Sequence, residues 1–187
     1  GNEIWTKTYG TDQYSEWGNS VQNTQDGGFM VTGTSFDYYY TAFDFWLLKT
    51  DSNGNEQWNK SYDRNQSEDK AKFSQQTLDG GYIIIGVTSI SSSLDGTYLV
   101  KTDTNGDEIW SNSWQGFRSF DVQNSFDGGY VFCGYTLGEM QGIIVKVDNN
   151  GNEEWSQELG GENDDQSYSI KSTYDGGYIV SGSTESF

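Results

Sequence analysis

The stretch Asp79–Thr88, with the sequence DGGYIIIGVT, occurs in four versions along the chain and decides its fold. The other versions are DGGFMVTGTS from Asp26, DGGYVFCGYT from Asp127 and DGGYIVSGST from Asp175. In each version, another glycine follows five residues after the second glycine of the pair. A repeat of this length and regularity predicts a fold that is built from repeated structural units.

Three other segments accompany each DGG stretch in a fixed order. A Gly-containing turn precedes a segment with a tryptophan (NEIW, NEQW, DEIW, NEEW), and a mixed polar segment follows. After the DGG stretch comes an apolar segment that ends in Lys-Thr-Asp or Lys-Val-Asp. Asp-Gly and Asn-Gly are strong hairpin signals, because glycine tolerates the positive φ of tight turns. We predict four short strands per repeat in a single domain, with the units Gly1–Asn53, Gly54–Asn105, Gly106–Asn150 and Gly151–Phe187.

The apolar segments decide between the all-β architectures. Tyr82–Ile85 and Ile143–Val145 are continuously apolar, whereas a strand with one wet face alternates apolar and polar residues. These strands must therefore be covered on both faces. A repeated four-stranded antiparallel sheet that its own neighbours cover on both faces is typical of a β-propeller blade. We predict an all-β chain that forms a β-propeller of about four such blades.

The last blade is expected to lack one strand. The chain has four DGG stretches but only three apolar segments of the type FWLLKTD, TYLVKTD and GIIVKVD. If four blades close a ring, Asn2–Tyr9 joins the sheet of the strand from Gly177 with a gap of one strand. An unpaired apolar edge promotes aggregation. Three explanations remain open: a longer repeat protein, a strand supplied by a neighbouring molecule, and an arc of a larger ring.

The order of these signals resembles the repeats of the type DGGYIVAGS…WLVKTDSNGNxxW, which occur in large surface and secreted proteins of archaea and bacteria. The resemblance covers essentially the whole chain. It implies a propeller fold and an extracellular or cell-surface location. Ser169–Phe187 and Tyr98–Trp110 are also similar to tryptophan–aspartate repeats, without that family's Gly-His and Trp-Asp pairs. TNGDEIW and SNGNEQW look like the docking motif of quinoprotein-type propellers, and nothing in them implies a bound quinone.

Charge and composition exclude several functions. The net charge is −18, which repels the phosphates of nucleic acids and of anionic lipids. No apolar run approaches the roughly 20 residues of a membrane-spanning helix, so membrane insertion is not expected. The chain contains no histidine, so triads and metal sites that need histidine are ruled out. Cys133, the only cysteine, lies in the apolar run YVFCGY and is expected to be a buried small hydrophobe.

We expect a non-enzymatic protein. A pair of carboxylates is all that a glycoside hydrolase needs, so this remote alternative stays open. However, the repeats spread their acids evenly and mark out no single pair. A structural or adhesive module fits better, with partners among further copies, neighbouring repeats or other surface proteins. Such a module would form arrays or filaments.

The long connections are expected to share one face of the propeller, opposite the tight turns, and variable loops on a rigid scaffold often carry function. Aromatic residues are the most conspicuous content of this face. A glycan-binding site or a protein interface would use such residues, and packing at the rim of the blades is the alternative. The loops are Asp12–Gly18, Phe36–Asp44, Asp63–Asp69, Ile90–Gly96, Gln115–Arg118, Leu137–Gln141 and Gly160–Gln166. The aromatic candidates are Trp17, Tyr38, Tyr39, Tyr40, Phe43, Trp114 and Phe117.

Carboxylates collect on the same face. Calcium takes six to eight oxygen ligands, often from such loops, but the spacing here matches no known calcium loop. Solvated surface charges are the alternative, and we expect no bound cofactor. The residues are Asp12, Glu16, Glu68, Asp69, Glu162, Asp164 and Asp165.

Two further patterns concern charge pairing and modification. A lysine precedes the terminal aspartate of each apolar segment by two residues, so both side chains lie on one side of the strand. This spacing predicts structural ion pairs between Lys49 and Asp51, Lys101 and Asp103, and Lys146 and Asp148. Asn59 (NKS) and Asn65 (NQS) match the glycosylation sequon of secreted proteins.

Overall fold

The computed structural model describes residues 1–40, 42–91 and 94–186, which form an all-β structure of fourteen strands without a helix. Parts of two predicted loops, at Thr41 and at Ser92 and Ser93, lie outside the described residues, as does Phe187 at the end of the last unit. In the described ranges, no helix has the length and apolarity that crossing a membrane requires.

The strands form four antiparallel sheets in which neighbours in the sheet are neighbours in the chain. The first sheet contains β1 (Tyr14–Asn23), β2 (Phe29–Asp37), β3 (Ala42–Thr50) and β4 (Glu56–Tyr62). The second contains β5 (Glu68–Gln76), β6 (Tyr82–Ser91), β7 (Leu94–Thr102) and β8 (Glu108–Gln115). The third contains β9 (Phe117–Asn124), β10 (Tyr130–Thr136), β11 (Gly142–Val147) and β12 (Glu153–Leu159). The fourth contains β13 (Asp165–Ser172) and β14 (Tyr178–Thr184).

The prediction of an all-β chain with four-stranded antiparallel sheets is confirmed for the first three sheets. The sheets are offset from the sequence units by one strand, because each takes its outer strand from the start of the next unit. The fourth sheet has two strands, so it lacks two strands rather than the predicted one. Asn2–Tyr9 was expected to be a strand, but residues 1–11 contain none. In the full sheets the outer strand pairs with the apolar third strand, and Asn2–Tyr9 has no such strand beside it.

The regular spacing of the tryptophans is explained by how they pack on the Asn-Gly turns of the neighbouring sheet. Gly106 has a φ of 78°, and a Cβ atom placed there would lie 2.7 Å from the ring of Trp58. The tryptophan of one sheet's outer strand therefore packs over the turn glycine of the next sheet. Trp5 and Gly54, and Trp110 and Gly151, repeat this contact.

In the second and third sheets, the apolar second and third strands are covered on both faces, as predicted. In β6, Ile83 and Ile85 belong to the core between the second and third sheets. Tyr82 and Ile84 belong to the core between the first and second sheets. A third core lies between the third and fourth sheets and includes Cys133 and Ile170. The sheets therefore stack in chain order, and each buries its apolar face against the next.

Residues 1–11 pack against the first sheet as an outer strand would, although they form no strand. Trp5 contacts Phe29 at 5.9 Å between ring centroids, and Trp58 contacts Tyr82 at 5.6 Å. The hydroxyl of Tyr9 donates a hydrogen bond of 2.7 Å to the carbonyl of Gly54. These residues thus occupy the place of a preceding outer strand.

Candidate functional site

The recurring lysines are buried, and they pair with the aspartate of the DGG turn. Lys101 is 2% exposed, and its Nζ lies 2.9 Å from Asp79 Oδ2. It also donates a hydrogen bond of 2.8 Å to the carbonyl of Thr102. Lys49 pairs with Asp26 at 2.8 Å, and Lys146 pairs with Asp127 at 3.0 Å.

The predicted pairing with Asp51, Asp103 and Asp148 is therefore wrong. These aspartates accept hydrogen bonds from backbone N–H groups of the Asn-Gly turns instead. In the first of them, Asp51 Oδ1 accepts from the N–H groups of Asn53 and Asn55, both at 2.8 Å. Hydrogen bonds from Asn55 lower the pKa of Asp51 below its usual value.

The fourth sheet repeats the DGG turn without the lysine. Asp175 accepts hydrogen bonds from the Thr173 hydroxyl (2.5 Å) and the Gly177 N–H (3.2 Å), as its counterparts do. No described lysine pairs with it, because each of the three lysines belongs to a third strand and the fourth sheet has none. The turn therefore forms, but the described part of the chain supplies no lysine to pair with Asp175.

The glycine after this turn marks the place of the absent strand. A Cβ atom on Gly81 would lie 2.1 Å from the carbonyl oxygen of Thr102 in β7. The same atom on Gly177 meets nothing closer than 3.1 Å, the hydroxyl of Thr173. Beyond this point, Ile179 is 63% exposed, whereas its counterpart Ile83 is fully buried. Ile83 is buried against the third sheet, so the exposure of Ile179 marks a face that no described sheet covers, while the open space at Gly177 marks the free edge of β14.

The aromatic candidates fall into two separate groups. Tyr38, Tyr39 and Tyr40 lie in the turn after β2 and are exposed, while Trp17 lies in β1 and Phe43 in β3. Trp17 and Phe43 are in contact, with ring centroids 6.0 Å apart. The three tyrosines line an open cleft of about 520 Å³ together with Asp12, Gln13, Tyr14 and Asp37.

Trp114 and Phe117 do not join this group. They lie in β8 and β9, and both pack against Phe132 in the core between the second and third sheets. Phe117 is 8% exposed. Trp114 and Phe117 were expected in loops. They lie in strands because the pairing of β8 and of β9 with their neighbours continues to the residues on either side of Gly116.

The acidic residues also separate on folding. Glu68 pairs with Lys70 at 3.3 Å, and Asp165 accepts hydrogen bonds of 2.8 Å from the Gly161 N–H and the Ser186 hydroxyl. Asp69 is fully buried and lies beside Asp44 and Asp63, with one carboxylate oxygen of each residue within 4.8 Å of the others. We call these three residues the acidic triplet.

Burial and the neighbouring carboxylates disfavour the charged forms of Asp44 and Asp69. Burial, together with the charges of Asp63 and Asp69, raises the pKa of Asp44 to about 6. Burial also raises the pKa of Asp69 to about 6, which outweighs the hydrogen bonds that it accepts from the Thr88 hydroxyl and the Arg64 N–H. Sequence reasoning selected Asp69 but missed Asp44 and Asp63. Comparing the repeats would have found them, because their counterparts are uncharged: Gly96 and Gln141 for Asp44, and Gln115 and Gly160 for Asp63.

The remaining candidates have simple environments. Asn59 in β4 and Asn65 in the following turn are exposed, so both sequons are accessible. Cys133 is fully buried, as predicted, and burial raises the pKa of its thiol to about 12. A thiol with such a pKa is a poor nucleophile at neutral pH.

Comparison with known proteins finds no protein-family model that matches the chain and no curated protein that matches it.

Proposed function

We propose that this chain is a non-enzymatic β-propeller repeat module with a structural or adhesive role outside the cell or at its surface. Further repeats or copies associate with it by adding a strand to the free edge of β14. One observation carries this proposal: β14 forms the same DGG hairpin as β6, and no described strand occupies its second edge. Strand addition is a common mode of protein association, because main-chain hydrogen bonds provide affinity and side-chain pockets provide specificity.

The three complete sheets define the strand that this edge would accept. In the second sheet, β7 places Leu99 and Val100 in the two flanking cores and directs Lys101 to the DGG aspartate. A strand on β14 would likewise carry apolar residues for both faces and a lysine for Asp175. This requirement is more specific than apolar contact alone, because only one register of the added strand would bring its lysine to Asp175.

The propeller assignment rests on how the sheets stack. The first strand of each later sheet, β5, β9 and β13, contacts the inner strands of the sheet before it. Strands at this position would surround the axis of a propeller, with the tryptophan-bearing strands at its rim. The buried lysines pair within each sheet and hold the DGG turns, which favours a structural role over a catalytic one.

Assembly can be tested by sedimentation velocity and electron microscopy of the full chain. We expect concentration-dependent assembly of the wild type and its loss in Ile179→Lys, because charged residues on an edge strand prevent pairing. Ile109→Lys is the matched control, since Ile109 is 57% exposed on the outer strand β8. Monomers of the wild type at all concentrations, or equal assembly of both variants, would argue against the proposal. The intact mass of the natural polypeptide shows whether the added strand comes from the same chain or from a neighbour.

Glycan binding is the second candidate, and the tyrosine cleft of the first sheet favours it. Tyr38, Tyr39 and Tyr40 are 61%, 84% and 63% exposed, and aromatic faces of this kind stack on sugar rings. A glycan array with the wild type and with a variant in which all three tyrosines are replaced by alanine tests this function. Binding that survives the triple replacement, or no binding at all, would remove the candidate.

A further inference from the structure

A cavity at the junction of the first and second sheets combines aromatic side chains with lysines. It measures about 310 Å³, which falls within the roughly 300–1,000 Å³ of small-molecule sites. It shares no lining residue with the tyrosine cleft. Its lining comes from β1, β2, β3 and β5 and consists of Trp17, Asn19, Thr34, Phe43, Lys70 and Lys72. We call this cavity the aromatic–lysine pocket.

The aromatic wall of the pocket is firmly packed, and part of it is open to solvent. Phe43 contacts Phe36 at 4.8 Å between ring centroids, and Lys70 Nζ lies 4.5 Å from the centroid of the Phe43 ring. Trp17 packs on Phe43 at 6.0 Å but stays 49% exposed. The half-exposed indole therefore offers a flat apolar face of the kind that stacks on a sugar ring.

The two lysines of the pocket differ in how their charges are balanced. Lys70 pairs with Glu68 at 3.3 Å. Lys72 is partly buried, and no described residue accepts a hydrogen bond from its Nζ or forms an ion pair with it. Burial lowers the pKa of Lys72, and the positive charges of Lys70 and Arg118 lower it further. The pocket therefore keeps the uncompensated positive charge of Lys72, which a bound anion would stabilise.

The fold does not need this combination of residues. Lys72 is the extra residue of a bulge that recurs in the first strand of every sheet. The bulges of the other three sheets hold Asn19, Phe120 and Tyr168. In the fourth sheet, Gln166 takes the place of Trp17. The sheets thus form with other residues at both positions, so the structure of the repeat explains neither the tryptophan nor the lysine.

We propose that the aromatic–lysine pocket binds a carboxylate-bearing sugar, namely a uronic acid residue of an acidic polysaccharide. The carboxylate pairs with Lys72, and the sugar ring stacks on Trp17. This site is independent of strand addition at β14 and of the tyrosine cleft, because it uses other residues.

The charges and polar groups of the pocket favour this ligand over other anions. Lys70 already shares its charge with Glu68, so Lys72 balances one negative charge. An anion with several charges would be repelled by a chain with a net charge of −18. The Asn19 amide donates a hydrogen bond of 2.7 Å to the carbonyl of Ala71, so the side-chain oxygen of Asn19 is the group that can accept from a sugar hydroxyl.

Titration calorimetry of the full chain with the trisaccharide of galacturonic acid tests the site. EDTA in the buffer keeps calcium from bridging the sugar to surface carboxylates. The methyl ester of the same trisaccharide is the matched ligand, because it keeps the rings and loses the charges. We expect one site for the acid and at least about tenfold weaker binding of the ester, because hydrogen bonds to a charged group are roughly twice as strong as neutral ones. Equal affinity for acid and ester, or no binding of the acid, would overturn the proposal.

Two variants place the sugar in this pocket. Lys72→Asn and Trp17→Gln introduce residues that the same positions hold in other sheets, so the fold should tolerate them. Lys171→Gln is the matched control, because Lys171 lies on β13 with its Nζ 5.5 Å from the ring of Phe73, outside the pocket. We expect about tenfold weaker binding in each pocket variant and less than about twofold change in the control.

The variant with all three cleft tyrosines replaced by alanine separates this site from the tyrosine cleft. It should bind the trisaccharide as the wild type does. Loss of binding in that variant with full binding in Lys72→Asn would overturn the proposal, because the sugar would then lie in the tyrosine cleft. If Lys72→Asn fails to fold, Trp17→Gln and the ester provide the same comparison.

Discussion

The second and fourth sheets contain the same DGG hairpin in two different settings. In the second sheet, β6 lies between β5 and β7, and Ile83 is fully buried. In the fourth sheet, β14 pairs only with β13, and Ile179 is 63% exposed. The turns themselves are nearly identical, since Gly80 and Gly176 both have a φ of 85°. The local sequence is therefore sufficient for the hairpin, whereas Ile83 is buried because the third sheet packs on it, and no described sheet packs on Ile179.

This difference separates two sources of stability. The turn is held by hydrogen bonds between residues two to four positions apart, such as those of Asp175 with Thr173 and Gly177. The strand is held by burial, which contributes roughly 1.5–3 kcal/mol for a side chain such as isoleucine. A receiving strand on β14 would add main-chain hydrogen bonds at its free edge, whereas burial of Ile179 would need a further sheet on its open face.

The largest expected difference concerns the glycine that follows the turn. In Gly81→Ala, the new Cβ atom would lie 2.1 Å from the carbonyl oxygen of Thr102, so strand β7 must move. We expect a loss of about 3 kcal/mol in the free energy of unfolding, measured by urea denaturation. In Gly177→Ala, the nearest atom is the rotatable hydroxyl of Thr173 at 3.1 Å, and the change should stay within about 0.5 kcal/mol. Equal losses in both variants would mean that the edge of β14 is already occupied.

A smaller effect is expected from the buried lysine. Lys101→Met keeps most of the length of the side chain but removes the ammonium donor from Asp79 and from the Thr102 carbonyl. Breaking a fully buried pair costs roughly 3–5 kcal/mol, but the Asp79 side chain is 55% exposed, so we expect about 1–2 kcal/mol.

Asp175→Asn provides the comparison in the fourth sheet. The asparagine oxygen still accepts the Gly177 N–H and no lysine is lost, so no measurable change in the free energy of unfolding is expected by urea denaturation. A large loss in Asp175→Asn would show that this aspartate has a cationic partner in solution.

The coarse fold was predictable because its signals are local. Hairpin turns, strand lengths and the need for cover on both faces of strands such as Tyr82–Ile85 all appear within ten residues of sequence. The state of Asn2–Tyr9 was not predictable in the same way. Its sequence matches that of β4 and β8, but a strand forms only where a partner is present.

The site residues were harder to predict because they depend on register between strands. The predicted lysine pairing was wrong because it used only the spacing within one strand. That spacing places Lys49 and Asp51 on one side of β3, but the pairing of β2 with β3 brings Asp26 to Lys49 instead. The acidic triplet joins residues from three strands in two sheets, and only Asp69 was selected from sequence. Differences between equivalent repeat positions carry the information that spacing within one repeat does not.

A small effect, below that of the lysine replacement, is expected from the acid titration of the turn aspartates. Hydrogen bonds from Lys49 and Thr24 lower the pKa of Asp26 to about 2 from the usual 3.8. Because the folded-state pKa is the lower one, the stabilisation is present above pH 4 and is lost as the pH falls towards 2. The Asp26 side chain is 53% exposed, so solvent screening reduces the contribution to about 1 kcal/mol. In Lys49→Met, the NMR titration midpoint of Asp26 should rise, while that of Asp175, which has only Thr173 and Gly177 as donors, should not change. A midpoint of Asp175 as low as that of Asp26 would indicate that a lysine from a docked strand already lies beside it.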